Sequence, residues 1–142
     1  MRILALDVGT KNIGMAICDP LGITAQSLPT IRRKGDLEKD LKFVTDAVVE
    51  YNVETIVVGL PKHMNGDEGP SCEMARDFAS EIEKLVNTPI VFWDERMTSR
   101  IAENAMIEAD VSRKKRKQKV DSLAAILILQ NYLDYLSSGR AR

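Results

Sequence analysis

The sequence predicts an α/β fold: a mixed five-stranded sheet, its first three strands an antiparallel meander, flanked by helices. Three observations carry this. Apolar runs of strand length crowd the first thirty or so residues, with only turn chemistry between them. Short apolar runs then alternate with segments of helical period. The length, 142 residues with 44% hydrophobic content, suits one core, so residues 1–142 read as a single domain.

The elements follow in order. Arg2 to Val8 (RILALDV) is a strand, and Gly9, Thr10, Lys11 and Asn12 form a turn. Ile13 to Cys18 pairs back as the second strand of a hairpin. Asp19, Pro20 and Gly22 turn the chain into a third strand over Ile23 to Ile31. Pro29 lacks an N–H donor, so that strand runs along an edge or ends there. Asp36 to Tyr51 carries Leu37, Leu41, Val44, Val48 and Val49 at helical spacings, with Asp36 as the cap. Thr55 to Val58 reads as a buried strand ending at Gly59, and Leu60 to Gly69 as loop. Pro70 to Val86 is a second helix with Met74, Phe78, Ile82 and Leu85 on one face, and Ile90 to Trp93 is a fifth strand. A helix over Thr98 to Ala109, capped by Thr98 or Ser99, leads to a basic loop. Val120 to Leu136 closes the chain as a helix apolar almost all round, which predicts deep burial. In such a mixed sheet, ligands gather at the carboxyl ends of the strands.

Composition excludes several classes. The apolar stretch Leu123 to Leu129 is far short of the ~20 residues of a membrane span, so no membrane association is expected. The N-terminus enters a strand pattern at once, so no signal or transit peptide is expected. Cys18 and Cys72 stand apart, outside any CxxC or Cys/His cluster, which argues against zinc and for a reducing cytoplasm. Cys18 lies in an apolar run and reads as a core residue. The net charge of -1 hides an asymmetry. Arg113, Lys114, Lys115, Arg116, Lys117 and Lys119 are six basic residues within seven, and the rest of the chain holds 14 basic against 21 acidic. A concentrated basic segment on an acidic body suits nucleic-acid contact, while the plainer reading is a solvated loop that aids solubility.

Three acidic positions carry the chemistry. Asp7 interrupts an apolar strand near its end, where an ionised carboxylate is costly to bury unless paired, hydrogen-bonded or metal-bound. The plainer reading, a cap on the following turn, is outweighed because an Asp so rarely interrupts a core strand. Asp94 and Glu95 follow the fifth strand in the same way. Side-chain alternation sends only one of them towards Asp7, and the other is free to hold Arg96 or cap the next helix. Asp121 opens the last helix, where the helix dipole alone would favour an acid. Ala124 and Ala125, on its face, would let that helix lie close to the sheet. Carboxylates from three separate elements could thus converge on Mg²⁺ or Mn²⁺, which prefer oxygen ligands and retain water. Two such ions ~4 Å apart can activate a water and stabilise the leaving oxygen of a phosphodiester. His63, the only histidine, has no obvious Ser or Cys partner, so a hydrolase triad is not expected. Thr10, Lys11, Lys62, His63, Asn65, Arg96 and Arg100 cluster near the expected strand ends and suit a polyanionic substrate. A helix N-terminus beside Arg96 and Arg100 also favours phosphate. Aromatics make up 5%, with no aromatic-rich stretch, so base stacking is not expected.

The segments LALDVGTKNIGMAI, VVGLP, DERMTS and VDSLAAILIL, in order over essentially the whole chain, resemble the YqgF (RuvX) family. These are bacterial proteins of the ribonuclease H-like superfamily, related to Holliday junction resolvases. The resemblance implies a ribonuclease H-like sheet, and it selects Glu95 over Asp94. It implies that Asp7, Glu95 and Asp121 form a catalytic, metal-holding acidic site. The implied function is a nuclease processing the 5′ end of precursor 16S ribosomal RNA in the cytoplasm, as part of ribosome biogenesis. Structured RNA within ribosomal precursor particles is then the partner, which the charge of Arg113, Lys114, Lys115, Arg116 and Lys117 independently suits, and the chain acts as a monomer or homodimer. Resolution of branched DNA is the older alternative for the family.

Two rival readings remain. ALDVGTKNIGMAI also looks like the first phosphate loop of actin-like or sugar-kinase-like ATPases, but those need two lobes and a second loop that this length does not hold. A non-catalytic nucleic-acid-binding module would use the basic segment for salt-dependent binding and leave the carboxylates structural.

Overall fold

The hairpin that opens the chain sets the sheet. The computed structural model describes residues 2–97 and 113–138, with side chains described for 2–96 and 123–138. β1 (Ile3–Val8) and β2 (Asn12–Cys18) pair antiparallel, with Asp7 opposite Gly14. The Gly9 N–H donates to the Asn12 carbonyl at 2.9 Å, and a Cβ on Gly9 would lie 2.8 Å from that oxygen, so the turn requires glycine. β3 (Ala25–Arg32) adds antiparallel to β2. β4 (Thr55–Leu60) pairs parallel with β1, and β5 (Ile90–Asp94) pairs parallel with β4. The spatial order is β3-β2-β1-β4-β5, the expected mixed sheet with its antiparallel meander. β3 is an edge strand, and its register with β2 skips between the Ile13 and Met15 pairings, beside Pro29. A proline is accommodated at such a place because no ladder bond is lost.

α1 (Leu37–Glu50) and α2 (Pro70–Glu83) cover one face, and α3 (Arg113–Ser137) covers the other. Alternation along β1 sorts the core. Leu4, Leu6 and Val8 pack with Val44, Phe78 and Ile82, while Ile3 and Ala5 pack with Ala125, Ile128, Leu129 and Leu133. Asp36 caps α1 as expected, its carboxylate accepting the Lys39 N–H. Cys18 is fully buried, as its apolar run implied.

Several boundaries differ from the sequence reading. β4 continues through Gly59 to Leu60, because both residues extend the parallel ladder opposite Trp93 and Asp94. The basic run is not a loop: Arg113 to Lys117 and Lys119 form the first turns of α3. Lysine, arginine and glutamine are good helix formers, and no glycine or proline interrupts residues 113–137. Asp121 therefore lies two turns inside α3 and does not open it. Burial runs most of the way round α3, as expected: Ala125, Leu127, Ile128, Leu129 and Leu133 are buried, the positions between them are mostly half-buried, and Asp134 is exposed. Its polar Gln130 has a structural task, accepting the Ala25 N–H and donating to the Ile23 carbonyl at the start of β3. Leu37, Val49 and Leu85 fall outside the core; Val49 is turned ~100° from Val48, and Leu85 lies beyond the end of α2. The segment Thr98 to Ala109 lies outside the described residues. None of the described helices is long and apolar enough to cross a membrane.

Candidate active site

Asp7 shares the face of Ile3 and Ala5, so strand alternation turns it towards α3. Its neighbour on β2 is Gly14, and on β4 the register runs one step past Leu6–Val58 to Gly59. Both lateral positions thus lack a side chain. Asp7 is half-buried, and burial raises its pKa above the usual carboxylate range, with no hydrogen bond from the described residues to offset it.

Glu95 reaches the same place from the end of β5. The chain leaves the sheet at Asp94 into a short 3₁₀ turn, Glu95–Met97, which folds Glu95 back over β4. A Cβ on Gly59 would lie 3.0 Å from Glu95 Oε2 and 2.5 Å from Ile128 Cδ1. Glycine at 59 is therefore the space in which the Glu95 carboxylate and α3 meet over the sheet. Burial, then the charge of Asp7, then that of Asp94, push the Glu95 pKa up to about 7. Its Oε2 is buried with no hydrogen-bond partner among the described residues. Two desolvated carboxylates on one face, one with an orphaned oxygen, form a site with a deficit of positive charge.

Asp94 takes the other role that alternation allowed. It pairs with Leu60 in the ladder, on the α2 side, and is held by Arg96. Arg96 donates Nη2 to Asp94 Oδ2 at 2.6 Å and Nε to both carboxylate oxygens, while Nη1 donates to the Met64 carbonyl at 3.2 Å. These bonds hold Asp94 below its usual pKa and tie the loop after β4 to the end of β5.

A family model described as RuvX, Holliday junction resolvase, matches residues 1–135. The chain belongs to the RuvX family. A protein of Clostridium kluyveri, named as a candidate pre-16S rRNA nuclease, is 53% identical over 137 residues, covering 96% of this chain and 99% of the relative. One of Clostridium perfringens, with the same name, is 54% identical over the same shares. Among solved structures, RuvC of Thermus thermophilus in complex with a Holliday junction substrate aligns with a TM-score of 0.68 at 10% identity, over 98% of this chain and 96% of that one. A fowlpox virus resolvase with Holliday junction DNA gives 0.56 at 17%, over 96% and 99%. At such identities the likeness carries the fold, the ribonuclease H-like fold of RuvC-type resolvases.

Within this RuvX-family chain the remaining candidate residues fall into groups. Asp121 lies on α3 one turn before Ala125 and two turns before Ile128, a helical stripe whose later members pack on the sheet; its own side chain is outside those described. Of its two small neighbours, Ala125 is fully buried and Ala124 half-buried. Among the described residues no three metal-ligating side chains come together. Thr10 and Lys11 are exposed on the turn that follows Asp7. Lys62 sits 3.8 Å from Glu68, which Arg76 holds more tightly at 2.6 Å. Asn65 closes its own loop, donating to Asp67 Oδ2 and accepting the Asp67 N–H. His63 packs against Gly69 at the start of α2, where a Cβ would lie 2.7 Å from Nε2. The backbone of Arg113 to Lys117 is helical, with side chains outside those described, and Arg100 lies outside the described residues altogether.

Sequence reasoning missed Arg33. Its Nη1 donates to the Gly9 carbonyl and its Nε to Asp40 Oδ2, both at 3.0 Å, and its guanidinium stands over the Phe78 ring. It braces the turn that carries the chain away from Asp7. Asp40, nearly fully buried on α1, is the complementary charge, and neither position is marked by periodicity.

Proposed function

We propose that this chain is a divalent-metal-dependent nuclease that hydrolyses phosphodiester bonds of precursor 16S ribosomal RNA near its 5′ end. The observation that carries the reading is the buried Oε2 of Glu95, without a hydrogen-bond partner among the described residues, on the same face as Asp7. Two desolvated acids so placed fit a divalent cation, and oxygen-only donors fit Mg²⁺ or Mn²⁺. Asp7, Glu95 and Asp121 would hold it; Asp121 belongs to the set through its place on the stripe of Ala125 and Ile128. When bound, the metal supplies an activated water and a counter-charge for the phosphoryl oxygens.

The chain's own residues do the rest. Gly59 leaves the space in which the Glu95 carboxylate lies over the sheet beside Asp7. Lys11 and Thr10, on the turn beside Asp7, and Lys62 and Asn65, on the loop after β4, line the approach. Arg96 holds that loop in place through Met64. Arg113 to Lys117 bring a concentrated positive charge on the first turns of α3, suited to phosphates at a distance from the cut, with Arg100 as a further contact. The names of the curated relatives support RNA as the substrate. We place the protein in the cytoplasm as a single catalytic domain, acting as a monomer or homodimer on precursor particles.

The test compares a labelled precursor 16S fragment with a four-way DNA junction, each with Mg²⁺ or Mn²⁺. Cleavage of the RNA by the wild type, abolished in Asp7→Asn with binding retained, is the expected result. Cleavage of the junction alone would transfer the site to branched DNA. Equal cleavage by Asp7→Asn would remove the carboxylates from the chemistry.

A further inference from the structure

Away from the carboxylates, one surface departs from the acidic character of the body. A groove of about 290 Å³ opens between the end of β3 and the outer side of α1, lined by Ile31, Arg32, Lys34, Lys39, Asp40 and Phe43 among others. Of its two acids only Asp36 keeps an unneutralised charge, against Arg32, Lys34 and Lys39. Asp40 is 4% exposed and spent on Arg33, and Asp36 caps α1 through the Lys39 N–H. Lys34 and Lys39 stand exposed. The groove is therefore cationic, although the chain outside the basic run holds 14 basic against 21 acidic residues. Phe43, one helical turn after Lys39 on the same side of α1, is 48% exposed.

The position relates the groove to the carboxylate site. Val8 pairs with Ile13 and Ile13 with Ile31, so Ile31 lies two strand spacings, about 10 Å, from the end of β1. Arg33 joins the two places directly, bonding the Gly9 carbonyl with one nitrogen and Asp40 of the groove with another. The groove lies on the α1 face and Asp7 on the α3 face, so a strand leaving the carboxylates rounds the carboxyl edge of the sheet past Lys11 to reach Lys34 and Phe43.

We propose that this groove binds a single-stranded flank of the RNA cut at the Asp7–Glu95 site, with Lys34 and Lys39 against phosphates and the Phe43 ring against a base. Ammonium groups beside an open aromatic ring are what hold a single strand without sequence readout. A single exposed ring does not register as an aromatic-rich run, which is why composition alone did not reveal it. The proposal rests on the nuclease reading for its substrate, and its test separates the two.

Binding is measured by fluorescence anisotropy in chelator, so that no cleavage intervenes. One probe is an RNA duplex with a single-stranded 5′ extension, the other the same duplex with blunt ends. Lys34→Ala/Lys39→Ala is expected to weaken the extended probe ~10-fold and to flatten its log–log salt slope by ~1.4, at ~0.7 per phosphate contact on a single strand. The blunt probe should bind unchanged. Phe43→Leu is expected to weaken the extended probe at least ~5-fold, and Phe43→Tyr to restore it. Equal affinity of all variants for the extended probe, or equal weakening on both probes, overturns the proposal even if the wild type cleaves RNA. Weakening confined to the extended probe, in a protein that cleaves no RNA, keeps the groove and overturns the nuclease reading.

Discussion

Glu95→Gln should stabilise the metal-free protein at alkaline pH and make little difference in acid. The change removes the charge and keeps the shape. Unfolded, this carboxyl loses its proton near 4.5; folded, near about 7. Between those values the folded state binds more protons than the unfolded state, so stability falls as pH rises. The contribution is fully present below pH 4.5 and lost once pH passes the folded value. At ~1.36 kcal/mol per pH unit the ceiling is ~3.4 kcal/mol. The side chain is only half-buried, and solvent screening reduces this to about 1–2 kcal/mol. For a chain of 142 residues, at ~3 °C per kcal/mol, Tm should rise by about 3–6 °C near pH 8 in EDTA. Near pH 4 the two proteins should melt together. Added Mn²⁺ should reverse the order near pH 8, because only the wild type keeps all its ligands. Thermal melts followed by circular dichroism at the two pH values measure this. A variant no more stable than the wild type near pH 8 would refute the claim that Glu95 is buried against Asp7 without compensation.

Further outcomes follow from the same geometry. Asp7→Asn should lower metal-dependent cleavage at least ~100-fold while leaving RNA affinity in chelator within about twofold, measured by gel assay and anisotropy. Gly59→Val should displace Glu95 and Ile128, since a Cβ there already meets both within about 3 Å; calorimetry should show a loss of about 1–3 kcal/mol, with weakened Mn²⁺ binding. Arg33→Met leaves Asp40 buried and unpaired, and denaturant unfolding should record a loss of about 3 kcal/mol. Neutralising Arg113 to Lys117 should weaken binding across RNA sequences and flatten its salt dependence; an unchanged slope would reduce the segment to a solvated helix.

Much of the fold was legible because the first hairpin is written in the simplest terms. RILALDV and IGMAIC are continuous apolar runs, and the GTKN between them offers only turn chemistry. Asp7 stood out for the same reason, as one charge in a run that otherwise packs on both faces. The limits were equally physical. Strand alternation reduced Asp94 and Glu95 to one choice, but Glu95 reaches over Gly59 through the 3₁₀ turn after Asp94, which no period encodes. Gly59 looked like a strand end because glycine usually weakens a strand, whereas its missing side chain is the opening that Glu95 fills. The basic run looked like a loop because charge was read ahead of helix propensity. Arg33 and Asp40 come together only when β3 and α1 pack, and Phe43 is exposed only because the apolar stripe of α1 runs through Leu41, Val44 and Val48.

The central claim is that Asp7, Glu95 and Asp121 hold a divalent cation, and anomalous diffraction from crystals soaked in Mn²⁺ tests it most directly. The expected result is an anomalous peak within ~2.3 Å of oxygens from all three carboxylates, absent from crystals of Asp7→Asn. A wild type that cleaves RNA with Mn²⁺ yet shows no peak at these residues would contradict it.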